Sequence, residues 1–279
     1  MLIDIKTNPH HTTWDRMLAT WQRADGIETI DGAWVFDHFY PILGDTNGPC
    51  LEGWTSLAAL AQATRRLKVG TMVNGMPYRH PAVTANMAST LDIVSDGRFQ
   101  LGLGAAWNTQ EADAYGISLG STLRERMDIF DEGVEVIVRL LTEEEADFSG
   151  THFRLTKARN EPKGVQRPHP PITVGGGGER RTLRTVARWA QHWNLSPSSL
   201  DEWARKRDIL HRHCDEVGRD PNEIMCSMML RFDPADVGEL ETSMLEAAEA
   251  GLDKVVVNLP SPHDPGHVEL VAQAAAALA

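Results

Sequence analysis

The feature that most limits how this chain can fold is a repeated alternation. Short apolar, β-branched runs of strand length are each followed by a longer segment whose apolar residues recur at helical spacing. Repeated βα units produce this pattern, because strands of a parallel sheet are buried on both faces and their covering helices are apolar along one stripe. The predicted strands are Leu2–Lys6, Ala33–Phe36, Leu67–Val73, Arg98–Gly104, Pro171–Gly175, His192–Leu195, Glu223–Leu230 and Lys254–Asn258. Between them the helical period predicts helices over Trp14–Ala24, Trp54–Thr64, Ala82–Val94, Leu123–Leu141, Arg180–Ala190, Leu200–Val217, Gly238–Ala250 and His267–Leu278. Eight strand–helix pairs predict an α/β fold, a closed (β/α)8 TIM barrel. At 279 residues the whole chain, 1–279, is expected to form one domain. Gly218 and Gly251 follow the sixth and seventh helices as C-caps, and Thr122 with Glu125 has the spacing of a capping box. One long connection interrupts the pattern, an insertion between strands four and five from about Leu141 to Pro170. It carries a predicted hairpin at Asp147–Leu155 around Ser149-Gly150 and a Pro-rich approach, QRPHPP, to the fifth strand.

Hydrophobic residues make up 42% and charged residues 24%, which fits a globular chain able to hold its core without a disulfide or structural metal. The 39 acidic and 27 basic residues leave a net charge of −12, the wrong sign for a protein that grips a phosphate backbone, so nucleic acid is not an expected partner. Cys50, Cys214 and Cys226 are far apart and form no CxxC, which points to reduced thiols rather than a disulfide frame or zinc site. The N-terminus, MLIDIKTNPHHTTWD, lacks the basic start and apolar stretch of a signal peptide, and no run of about 18 apolar residues occurs. The expectation is a cytoplasmic protein without a membrane partner.

In a (β/α)8 barrel the residues just after each strand build the active site. The second strand runs into VFDHFYP, which brings Asp37 and His38 to the mouth. Adjacent side chains on a regular strand point to opposite faces, so both can serve one site only if the strand bends there. An isolated Asp-His pair is more often structural, and its position at a strand end is what gives this one weight. The third strand ends at Asn74-Gly75. The fourth, FQLGLGAAWN, places Gly102 and Gly104 on one face, where a ligand or another backbone can approach closely.

The most distinctive local signal follows strand five. In PPITVGGGGERRTLRTVA, Gly175, Gly176, Gly177 and Gly178 lie between an apolar strand and a helix start, with Arg180, Arg181 and Arg184 beyond. Exposed backbone N–H groups and the positive end of a helix dipole make phosphate the natural ligand; the ordinary alternative is a flexible turn. The spacing is neither a Rossmann fingerprint nor a Walker loop. His10-His11 after the first strand is the only metal-like hint, but no HxH or HExxH accompanies it, so no metal is expected. The absence of a GxSxG elbow leaves acyl transfer without a candidate nucleophile.

Taken together, VFDHFYPILG (35–44), LEGWTSLAALAQATRRLKVGTMV (51–73), YRHPA (78–82), DGRFQLGLGAAWN (96–108) and PPITVGGGGERRTLRTVA (170–187) resemble one family. It is the luciferase-like monooxygenase superfamily, and within it the F420-dependent oxidoreductase branch. The likeness is strong over residues 30–195 and is carried by barrel pattern elsewhere. It implies a deazaflavin, coenzyme F420, or alternatively FMN, lying across the barrel mouth with its phosphate at Gly175–Gly178 and Arg180. The ring would be flanked by Asp37 and His38, backed by a non-prolyl cis peptide at Met72–Val73, and bordered by Asn74, Gly104, Ala105, Trp107 and Asn108. The bare glycines of strand four would let it lie against the wall. A small organic substrate would meet His10, Tyr40, Trp107 and Arg231, with His38 as acid/base and Asp37 orienting it.

Two departures from the sugar-phosphate dehydrogenases of this superfamily stand out. AAWN, with Trp107, replaces their glutamate acid, and Ile42 lies near the place of their second tryptophan. A sugar phosphate is therefore not the expected substrate. The connection after strand seven, MLRFDPADVG, is short where many relatives carry a long mobile insertion, so an open pocket is expected. The acidic tail of F420 would need positive charge, which Lys157, Arg159, Lys163 and Arg167 could supply. The alternatives are an FMN-dependent monooxygenase using reduced flavin and O2, or a flavin-binding barrel without turnover. A separate F420 or flavin reductase is a conceivable partner. Apolar positions on the second and third helices suit the pairing common in this superfamily, giving an expected homodimer; a monomer by light scattering at micromolar concentration would contradict it.

Overall fold

A computed structural model of the chain describes residues 1–278, so residue 279 of the expected domain lies outside it. The strands are β1 (Leu2–Thr7), β2 (Gly32–Val35), β3 (Lys68–Thr71), β4 (Asn74–Gly75), β5 (Phe99–Gly104), β6 (Ala146–Ser149), β7 (Arg154–Ala158), β8 (Ile172–Gly175), β9 (His192–Leu195), β10 (Met225–Arg231) and β11 (Lys254–Leu259). They pair in parallel in the order β3-β2-β1-β11-β10-β9-β8-β5, and β3 pairs back onto β5, closing the barrel. Among the described residues β6 and β7 alone stand apart, as the antiparallel hairpin expected in the insertion, with Gly150 N–H bonded to the Phe153 carbonyl at its turn. The covering helices are α1 (Trp14–Asp25), α2 (Gly53–Ala63), α3 (Pro81–Val94), α4 (Thr109–Tyr115), α5 (Leu123–Thr142), α6 (Thr182–Trp189), α7 (Leu200–Val217), α8 (Val237–Glu249) and α9 (Pro265–Ala275). Among the described residues no helix is long and apolar enough to cross a membrane.

Strand alternation divides two interiors. Ile3, Ile5, Val35, Leu101 and Leu103 face the helices and join the main core. Trp34, Met72 and Val256 form a separate cluster inside the barrel, above which the mouth opens. The lower interior is polar: Asp4 Oδ2 accepts from Lys254 Nζ at 2.6 Å and Trp34 Nε1 at 2.7 Å, while its Oδ1 has no partner among the described residues. His192 bridges the Thr173 and Ser227 hydroxyls at 3.0 and 2.6 Å.

Most element boundaries lie within a few residues of expectation, two strand ends among them, and one helix is added. The third strand stops at Thr71; the peptide Met72–Val73 is cis, as expected, and β4 then resumes pairing with β5. The seventh starts at Met225, after a short 3-10 turn at Pro221–Glu223. An unexpected helix, α4, follows β5, capped by the Asn108 side chain at its start and by Gly116 with φ of 68° at its end. Gly218 and Gly251 cap as expected at φ of 70° and 82°. Thr122 Oγ1 accepts from Glu125 N–H, while the Glu125 carboxylate returns to Ser121 N–H.

Candidate active site

The site is built where β2 gives way to loop. After Val35 the backbone leaves strand geometry, so Asp37 and His38 both reach one cavity. That cavity encloses about 330 Å³ at the carboxyl ends of the strands. Its wall includes Asp37, His38, Met72, Val73, Asn74, Gly104, Ala105, Trp107, Gly175 and Gly176, each singled out from the sequence.

His38 is held by a residue the sequence reading overlooked. Its Nδ1 lies 2.5 Å from Oε1 of Glu111, a fully buried carboxylate on α4. Glu111 also accepts from the Tyr78 hydroxyl at 2.5 Å and from the Phe39 backbone N–H at 2.8 Å. Burial pushes the Glu111 carboxyl upward, but the hydrogen bonds from His38 and Tyr78 outweigh it and hold the group below its ordinary value. Burial and the bond to Glu111 push the Tyr78 phenol well up, so Tyr78 acts as a fixed donor. With Nδ1 spent on Glu111, Nε2 is the nitrogen of His38 left for a molecule in the cavity. Phe36 and Trp107 pack edge-on against the imidazole, with centroids 5.1 and 5.4 Å away. A carboxylate thus comes from the helix that follows AAWN, but it backs His38 instead of lining the cavity.

Asp37 orients a different partner from the one expected. Its carboxylate is bonded by both arms of Arg79, at 2.7 and 2.8 Å, and by Gly75 N–H at 3.1 Å, rather than by His38. Burial raises the Asp37 carboxyl and Arg79 pulls against it, leaving the group above its usual range. Arg79 in turn bonds Glu52 at 2.8 Å and the Asn74 side-chain oxygen at 3.1 Å. Asn74 Oδ1 also accepts from Trp54, while its Nδ2 is buried without a partner among the described residues.

Of the two close approaches expected at the glycines of β5, a ligand or another backbone, the structure shows the second at Gly102. A Cβ on Gly102 would lie 1.7 Å from the Thr71 carbonyl oxygen, and one on Gly104 would lie 2.5 Å from Val73 Cγ2. These bare positions admit the Thr71–Val73 turn itself, which presses Val73 into the cavity.

Other expected site residues fall outside this wall. Asn108 caps α4, its Oδ1 accepting from the N–H groups of Gln110 and Glu111. Tyr40 packs on Tyr115 at 5.7 Å. His10 and Arg231 line a neighbouring cavity with His11 and Phe232. Burial, followed by neighbouring His11, pushes the His10 imidazole down to about 4. Gly177, Gly178 and Arg180 continue past the cavity into α6, whose N-terminus has no side-chain cap. Gly176 adopts φ of 111°, which a side chain would strain, and Arg180 is exposed. Arg181, by contrast, is bonded to Asp128 and Asp131. Of the basic residues in the insertion, Lys163 is bonded to the Leu140 and Glu143 carbonyls at the end of α5, and Arg167 to the carbonyls of Gly164 and Gln166. Gln166 is itself tied to the start of β5, at the opposite end of the barrel from the mouth. These two cannot serve a tail at the mouth. Among the described residues no group of three or more His, Cys, Asp or Glu is arranged to hold a metal ion.

A parallel (β/α)8 barrel with an imidazole–carboxylate pair and a glycine-lined wall at its mouth defines the class. A model of the luciferase-like monooxygenase family matches residues 2–268, and the chain belongs to that family, whose members are oxidoreductases. Protein Rv0953c of Mycobacterium tuberculosis is 29% identical over 247 residues, covering 86% of this chain and 83% of that protein. A pyrimidine monooxygenase, RutA, of a Caulobacter species is 28% identical over 210 residues, covering 73% and 56%. The fold also matches an F420-dependent secondary alcohol dehydrogenase solved with an F420–acetone adduct, at TM-score 0.88 and 18% identity over 100% of this chain and 99% of the other.

Proposed function

We propose that the chain is a deazaflavin-dependent oxidoreductase that moves a hydride between coenzyme F420 and a small organic substrate. The observation that carries this reading is His38 on the cavity wall with the buried Glu111 carboxylate bonded behind it. Interconverting an alcohol and a carbonyl by hydride transfer requires a proton to leave or join the oxygen, and a buried carboxylate behind an imidazole equips that imidazole to take or return it. Coenzyme F420, when bound, supplies the hydride chemistry itself.

The chain's own residues fit such a group. Asn74 lines the cavity, and its Nδ2, buried without a partner among the described residues, leaves one donor unused just behind the wall. Met72, Val73, Gly104 and Ala105 offer an apolar face for a planar ring, beside Asp37 and Trp107. The uncapped start of α6 after Gly175–Gly178, with exposed Arg180, has donor chemistry suited to a phosphate. In this reading His38 Nε2 holds or accepts the proton, Glu111 keeps the ring turned through its bond to Nδ1, and Trp107 shields one side of the imidazole. The three free cysteines support a reducing cytoplasm. A separate reductase renews the coenzyme.

The sequence kinship with a monooxygenase favours a second reading, in which the same wall and glycine turn hold FMN for monooxygenation with O2. Fluorescence titration with F420 and FMN, oxidised and reduced, decides between them. Tight F420 binding with weak FMN supports hydride transfer, and the reverse makes monooxygenation the lead. Tight binding without turnover over a broad substrate panel would make the chain a carrier. His38→Ala should remove most turnover while coenzyme affinity persists; unchanged turnover would take His38 out of the mechanism.

A further inference from the structure

Lys6 lines the mouth cavity, is only 6% exposed, and has no hydrogen-bond or ion-pair partner among the described residues. Strand alternation settles where its side chain projects. Ile5 packs in the helix-facing core and Thr7 accepts the Trp21 indole N–H of α1, whereas Asp4 bonds Trp34 and Lys254 inside the barrel. Lys6 shares the face of Asp4 and so projects inward, one layer nearer the mouth. There it shares the cavity wall with Phe36, Met72 and Asn194.

The carboxylates around this cavity each already hold another basic side chain, and among the described residues none is within ion-pair distance of Lys6, although Asp4 Oδ1 makes no hydrogen bond. Asp4 serves Lys254, Asp37 serves Arg79, and Glu111 serves His38 and Tyr78. A buried cation without a counter-charge is costly, and folded chains ordinarily avoid one. Burial pushes the Lys6 ammonium down to about 8, which leaves it cationic at neutral pH. Its charge is also among those that depress His10. An unpaired buried cation facing a cavity is explained if the cavity's occupant brings the missing charge.

We propose that Lys6 is an anion-binding residue on the floor of the mouth cavity, where its ammonium receives a negatively charged oxygen of the occupant, of the carboxylate or enolate class. Such an oxygen comes either from an acidic substrate or from the delocalised negative charge of a reduced coenzyme ring. Only the second source rests on the function proposed above.

The test compares the wild-type chain with Lys6→Met and Lys6→Arg. Without ligand, K6M should melt a few degrees higher than wild type, because an isosteric apolar side chain replaces an uncompensated charge. Sodium formate and sodium acetate, at ionic strength held constant with sodium chloride, should raise the melting temperature of wild type and K6R but not of K6M. Titration with FMN and F420 in both redox states then identifies the source. Binding weakened about tenfold to a hundredfold in K6M for the reduced forms alone assigns the charge to the coenzyme. Unchanged coenzyme affinity with lost formate and acetate protection assigns it to a carboxylate substrate. Equal anion protection in wild type and K6M, with coenzyme affinity unchanged, overturns the proposal, and a lower melting temperature for K6M with that protection intact makes Lys6 merely structural. If neither coenzyme binds, the function proposed above fails while the formate and acetate comparison still decides the role of Lys6.

Discussion

His38 and Glu111 illustrate how one buried carboxylate can be committed to a single task. Glu111 is fully buried and gathers donors from His38, Tyr78 and Phe39, so in its ionised form it is an acceptor for all three. Replacing it with Gln preserves shape but turns one oxygen into a donor facing donors. Glu111→Gln should therefore lower kcat at least about tenfold, through a misdirected imidazole, while coenzyme affinity changes little. Equal losses in kcat and coenzyme binding would show that Glu111 only props up the wall. Arg79 tests the other carboxylate. Arg79→Met leaves Asp37 buried without its bidentate partner, and urea unfolding should show a loss of about 3–5 kcal/mol, the cost of stranding a buried charge.

Among the elements, the β3–β5 seam is the least tolerant of change. The Thr71 carbonyl occupies the space a Cβ on Gly102 would need, and that neighbour is backbone, which cannot swing aside. Gly102→Ala should force the seam open and leave the chain largely insoluble or several degrees less stable; wild-type melting behaviour would refute the close approach. The sequence exposed these glycines but not what fills their space, because Thr71 is distant in the chain and the turn after it is a tertiary feature. Helix α4 was overlooked for another reason. Its seven residues are too few for a clear apolar stripe, although Asn108 followed three positions later by Glu111, with Gly116 beyond, is the punctuation of a short helix. Even that reading would have assigned Glu111 to its own cap instead of to His38. The strands, long helices and glycine turn were legible because each is written in local periodicity. The pairing of His38 with Glu111 and of Asp37 with Arg79 was not, since each joins residues from separate βα units.

Across the whole molecule, the barrel's polar interior ties stability to pH. His192 is fully buried between two hydroxyls, and burial, followed by the charge of Lys254, pushes its imidazole down to about 3. In the unfolded chain the same ring takes up a proton near its ordinary value of 6.5. Between pH 6.5 and about 3 the unfolded state therefore binds more protons than the folded one, so stability is lost as pH falls through this window and is fully present above it. The slope from one such histidine is about 1.4 kcal/mol per pH unit. Asp4 and Asp37, whose carboxyls are raised by burial, act in the opposite sense, so the total slope is not the readout. The difference between wild type and His192→Asn isolates the ring's titration, because the asparagine amide sits where Nδ1 meets the Thr173 hydroxyl and does not titrate. Urea midpoints measured from pH 7 to 4 should converge as pH falls, with wild type losing its advantage over the variant. A gap that stays constant with pH would mean that His192 is protonated in the folded barrel, and that its bonds to Thr173 and Ser227 are those of an imidazolium.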